Sequence, residues 1–111
     1  MEYRIHPKTK EQISVIGIGT GPVFEASERE AVRALTYAYE HGVNFADFAT
    51  AGAETFRYAG AAFASVRSKM FYQIHFGANY ETGEYGWTTN LDTVKRQIDW
   101  KLSQLKTDYI D

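Results

Sequence analysis

Apolar and polar positions along the chain fall into a repeating order of short and long elements. Glu2–Ile5 and Gln12–Val15 are β-compatible runs separated by the polar stretch Pro7-Lys8-Thr9-Lys10-Glu11. They predict a hairpin over residues 1–15. Ile16-Gly17-Ile18-Gly19 is too short for a helix and suits a buried strand, ended by Gly19, Gly21 and Pro22. Ser27-Glu28-Arg29-Glu30 is a capping box, in which Ser27 accepts from an amide three residues on and Glu30 reaches back. The helix it opens carries Ala31, Val32, Leu35, Ala38 and Tyr39 at helical spacing and stops at Gly42.

Val43 to Ala49 predicts a second short strand, interrupted by one acid, Asp47. The small-residue loop Thr50 to Glu54 leads to a helix from Thr55 to Arg67, with Thr55 as N-cap. Its apolar face is Phe56, Ala59, Ala62, Phe63 and Val66. Met70 to Phe76 reads as a third strand, and Gly77 to Thr89, rich in glycine and tyrosine, as a loop. Asn90 or Thr89 caps a last helix with a stripe of Val94, Ile98, Leu102 and Leu105. Tyr109-Ile110-Asp111 begins a fourth strand. A hairpin followed by βαβαβαβ over residues 16–111 means α/β architecture, with parallel strands and right-handed crossovers.

Composition narrows the class of function. The 111 residues are 44% hydrophobic, 23% charged and 15% aromatic, the balance of a folded chain. A net charge of −2 supplies no drive toward nucleic acid or anionic lipid. The absence of cysteine excludes disulfides and thiolate metal sites, and three scattered histidines (His6, His41, His75) do not promise another metal centre. No apolar run approaches the ~20 residues of a membrane span, and the start MEYRIHPKTK lacks a signal core. A soluble, cytoplasmic chain is expected. Gly17-Ile18-Gly19-Thr20-Gly21-Pro22 is a poor dinucleotide fingerprint, because its third glycine is missing and proline removes an amide a phosphate would need.

Four segments carry more specific information: Tyr3-Arg4-Ile5, Val15-Ile16-Gly17-Ile18-Gly19-Thr20, His41-Gly42-Val43-Asn44-Phe45-Ala46-Asp47 and Leu105-Lys106-Thr107-Asp108-Tyr109-Ile110-Asp111. In this order they resemble the aldo-keto reductase family, and Gly60 falls where that family's second helix carries glycine. The resemblance implies the first part of a TIM barrel: an N-terminal hairpin at the barrel bottom and about three and a half βα units, a half barrel ending inside the fourth of eight strands. It also implies NADPH-dependent carbonyl reduction by a tyrosine proton donor, assisted by a lysine, an aspartate and a histidine.

Residue by residue, the match is partial. Asp47 stands at the family's aspartate position. The tyrosine position, five residues later, is Gly52; the nearest phenol, Tyr58, lies on the following helix. The lysine position is His75, so the candidate catalytic residues are Asp47 and His75, a pair able to shuttle a proton but not to recreate a lysine-activated phenol. The family's histidine and main cofactor contacts lie beyond Asp111. The expectation is therefore a half barrel without the family's reductase activity and without cofactor in the isolated chain, NADPH being implied only where activity is retained.

A section of barrel exposes strand edges and inward-facing apolar side chains, which invite pairing. A homodimer or higher homo-oligomer, with elements exchanged between copies, is the expected assembly. Two alternatives remain open. One is an oligomeric oxidoreductase with a rebuilt Asp47/His75 site for a small carbonyl substrate. The other is a binding module using the tyrosine-rich loop, residues 80–87. The aromatic residues Phe71, Tyr72, Phe76, Tyr80, Tyr85 and Trp87 suit a surface awaiting a partner, or the lining of a ligand pocket.

Overall fold

The computed structural model describes residues 1–111. Strands β1 (Tyr3–Ile5) and β2 (Gln12–Ser14) pair antiparallel, with Tyr3 opposite Ser14 and Ile5 opposite Gln12. The side chain of Asn44 does most to tie this hairpin to the rest of the chain. Asn44 accepts the Ser14 amide at 2.8 Å and donates to the Gln12 carbonyl at 2.9 Å, so it continues the hydrogen bonding that the edge of β2 offers. The Tyr3 hydroxyl adds a bond to the Gly42 carbonyl at 2.9 Å.

Strands β3 (Ile18–Gly19), β4 (Phe45–Asp47) and β5 (Phe71–Gln73) form a parallel sheet in the order β3-β4-β5. Helices α1 (Glu28–Glu40), α2 (Glu54–Phe63) and α3 (Leu91–Leu105) link and follow these strands. Strand alternation divides the sheet. Ala46 and Tyr72, paired in register, are buried with Leu35, Phe56, Ala59, Phe63 and Leu105 in one core. Phe45 and Phe71, paired on the opposite face, are only half-buried. The architecture is mixed α/β, with helices covering one sheet face and no closed barrel.

Several local signals act as expected. Ser27 and Glu30 form the reciprocal capping box, Gly42 takes φ +91° after α1, and the Asn90 carboxamide accepts the Thr93 amide at 3.0 Å. Five expectations need correction. Thr55 is not a cap: α2 begins at Glu54, and Thr55 is buried with its hydroxyl 2.9 Å from that of Thr50. The helix also ends at Phe63, tightening into a 3-10 segment over Ala64–Lys69 rather than running on to Arg67. The third strand ends at Gln73, three residues short of the expected Phe76.

The segment read as a plain loop carries an antiparallel ladder, β6 (Ala78–Asn79) and β7 (Gly86–Trp87), with the intervening turn helped by Gly83 at φ +89°. Finally, Tyr109–Asp111 does not form a strand. The buried Arg67 guanidinium holds it instead, lying 3.9 Å from both the Tyr72 and Tyr109 ring centres. Arg67 donates to the carbonyls of Met70 and Tyr109 and to the Asp111 carboxylate. That carboxylate accepts the Tyr72 amide at 3.0 Å, taking the edge donor that a fourth strand would use.

The buried side of α3 also differs from the apolar stripe. Val94, Gln97, Lys101 and Leu105 are buried, whereas Ile98 is exposed and Leu102 half-buried. Gln97 accepts the Tyr80 amide and Lys101 donates to the Ala78 carbonyl, each at 2.8 Å. Burying two polar side chains is offset here by satisfying two backbone groups around β6 that would otherwise lie orphaned.

Helices α2 and α3 approach so closely at Gly60 that a methyl group there would run into the backbone carbonyl of Gln104. Helix propensity alone predicts that Gly60→Ala stabilises by about 1 kcal/mol. Urea denaturation of Gly60→Ala is expected to show a loss of about 1–3 kcal/mol, the usual cost of overpacking. A more stable variant would refute this contact.

Candidate functional site

The three parallel strands run the same way, so Gly19, Asp47 and Gln73 stand together at their C-terminal ends. Asp47 is fixed by its backbone: its carbonyl accepts the Thr20 amide at 3.1 Å and the Thr20 hydroxyl at 2.9 Å. Its carboxylate lies 2.7 Å from Nε2 of His75, which comes from the segment just past β5. The two side chains named from the sequence therefore meet across 28 positions. Both are partly exposed, at 33% for Asp47 and 44% for His75, so the contact is open to solvent and to a ligand.

The phenol position is filled differently. A side chain at Gly52 would meet Cβ of Phe24 at 2.6 Å, because the 3-10 turn Val23–Glu25 packs against that loop. The loop is clamped from its other side. Tyr85 donates its amide to the Ala51 carbonyl at 2.8 Å, and Ala53 donates to Gly83 at 2.9 Å. Tyr58 is buried on α2, with the Arg57 guanidinium 4.9 Å from its ring, and is not among the residues lining the cleft beside His75.

That cleft measures about 440 Å³ and is lined by Phe48, Thr50, His75, Tyr80, Tyr85 and Trp87 among others. Phe76, Tyr85 and Trp87 stand exposed at its rim. Tyr80 is the buried phenol here, its hydroxyl donating to the Thr50 carbonyl at 2.8 Å. Burial pushes its pKa above the ordinary 10.0, so it is a poorer proton donor than a free tyrosine. The lining contains no lysine or arginine to meet the phosphates of a dinucleotide. These residues do not fit NADPH. No group of three or more His, Asp or Glu side chains converges as a metal site.

The residues that sequence reasoning missed act through long-range contacts. Phe24 closes the Gly52 position, and Gln97 and Lys101 fix the loop beyond His75. Their signal is faint: a glutamine and a lysine share a helix face with Val94 and Leu105, which a hydrophobicity pattern discounts. Burial lowers the Lys101 pKa from 10.5 to about 8, with no carboxylate pairing to restore the charge.

Comparison with known proteins places this arrangement. No family model and no curated protein sequence matches the chain. Solved structures do. An aldo-keto reductase from Bacillus halodurans in its holo form superposes with a TM-score of 0.80 at 24% identity, covering 100% of this chain and 38% of that one. A glycerol dehydrogenase from Gluconobacter oxydans gives 0.70 at 19%, covering 98% and 37%. The chain thus has the fold of part of an aldo-keto reductase, consistent with the N-terminal part, and spans well under half the length of these proteins.

Lys101 makes a pH-dependent contribution whose sign is fixed. Its folded pKa lies below its unfolded value, so the folded chain gives up the proton first and stability rises as pH climbs from about 8 toward 10.5. Urea titrations at pH 7.5 and pH 9.5 are expected to show wild type gaining stability relative to Lys101→Met. A constant difference between the two proteins would contradict the burial of a charged amine.

Proposed function

We propose that this chain is an aldo-keto-reductase-type barrel section that works by self-association, without the family's phenol-based carbonyl reduction. The observation that carries the reading is the uncovered side of the sheet. Parallel sheets are normally covered on both faces. Here Phe45 and Phe71 face an open cleft of about 340 Å³, bounded by the hairpin, by Tyr72 to Ile74 and by Ile110 and Asp111, with no helix over it. At the β5 edge the Ile74 amide has no backbone partner within the chain. A second copy supplies both a strand edge and an apolar face. Two copies bring six parallel strands together, toward the eight that a closed barrel contains.

Against catalysis in the family's manner stands Gly52. Phe24 occupies the space a phenol would need, and the lysine position holds His75. A second reading rests on a specific contact: the 2.7 Å Asp47–His75 pair beside an aromatic cleft suits an oxidoreductase with a rebuilt site for a small carbonyl compound.

Sedimentation velocity from micromolar to millimolar chain is expected to show a monomer–dimer equilibrium or a stable dimer, and a monomer throughout would remove the leading reading. NADPH oxidation with a panel of aldehydes and quinones is expected to stay at the blank rate. Turnover abolished by Asp47→Asn or His75→Ala would establish the second reading instead.

A further inference from the structure

Behind the His75 segment lies a smaller cavity of about 210 Å³, bounded by Ile74, Phe76, Val94 and Ile98, with His75 and Lys101 as its ionisable members. Lys101 is 2% exposed. One of its amine donors goes to the Ala78 carbonyl, and the only aromatic face near it is Tyr80, 5.6 Å away. No carboxylate pairs with it. An amine in this setting has two uses. It can bind an anion, or it can act as a nucleophile in its neutral form.

The walls decide between them. An anion seated on Lys101 would turn its remaining oxygens toward Ile74, Val94 and Ile98, which offer no donors, while Nε2 of His75 is already engaged by Asp47. A short aliphatic aldehyde presents one polar atom and an apolar tail, which matches one amine in an apolar chamber. We infer that Lys101 and the cavity beside His75 form a covalent capture site for small aliphatic aldehydes. The Nζ lone pair attacks the carbonyl carbon, a C–N bond forms, and the carbonyl electrons pass to oxygen. Both amine protons then leave with that oxygen as water, giving an imine without any oxidant or reductant. The lowered pKa of Lys101, about 8, leaves far more of it neutral near pH 7.5 than of an ordinary exposed lysine.

This site adjoins the Asp47 cleft, sharing His75, Phe76 and Ala78 as walls, and it does not depend on self-association. Its test is reductive trapping: the folded chain is treated with butanal and cyanoborohydride at pH 7.5, and each lysine is scored by peptide mass mapping. Lys101 is expected to carry the butyl adduct at about tenfold or more the initial rate of Lys69, Lys95 or Lys106, and to lose that preference in urea. Labelling of Lys101 at or below the rate of those lysines in the folded chain would overturn the proposal. So would protection against melting by butyrate without any butanal adduct, which would make the cavity an anion site. The mapping reads the wild-type chain, so the outcome does not depend on a variant folding.

Discussion

Ala46 and Tyr72 face three helices, while Phe45 and Phe71, each one residue earlier on the same strands, face the base hairpin and open space. This division follows from strand geometry, since successive side chains point to opposite sides. The helix side is closely packed: Phe48, Phe56, Phe63, Met70 and Tyr72 are essentially inaccessible to water. The other side is not. The proposed self-association follows from that asymmetry, because a parallel sheet with one partly covered apolar face and a free edge amide is a half-satisfied structure.

The same asymmetry positions the candidate chemistry. Parallel pairing in the register Asp47 opposite Gln73 brings the residues after β5 alongside the end of β4, so His75 reaches Asp47 although the two are far apart in the chain. Beyond β5 the backbone leaves the sheet, and helix α3 receives it with polar side chains. Gln97 and Lys101 bind the backbone on either side of Asn79, which fixes the small β6–β7 ladder and, through it, the clamp on the loop around Gly52. A lysine placed there for its hydrogen bond is also a lysine stripped of water. Structure and reactivity share one residue.

Signals that act within a few residues were legible in the sequence. The Ser27–Glu30 box, the glycine after α1, the Asn90 cap and the β1–β2 hairpin each depend on near neighbours. The Asp47–His75 meeting was legible through the family resemblance and the strand pattern. What escaped is long-range. Thr55 resembles a cap until Thr50 takes its hydroxyl, and Lys101 resembles a surface residue until the Ala78 carbonyl needs a donor. Tyr109–Asp111 has strand-like residues, but Arg67 and the Tyr72 amide engage its polar groups first.

In the proposed dimer the β5 edge and the sheet face beside it are covered by a second copy of the chain. Amide hydrogen exchange at Ile74, followed as the protein is diluted, tests this most directly. A dimer predicts slow exchange at high concentration that accelerates to the rate of an open edge on dilution, while the Phe48 amide, bonded to the Gln73 carbonyl inside the sheet, stays unchanged. Rapid exchange at Ile74 at every concentration would contradict it.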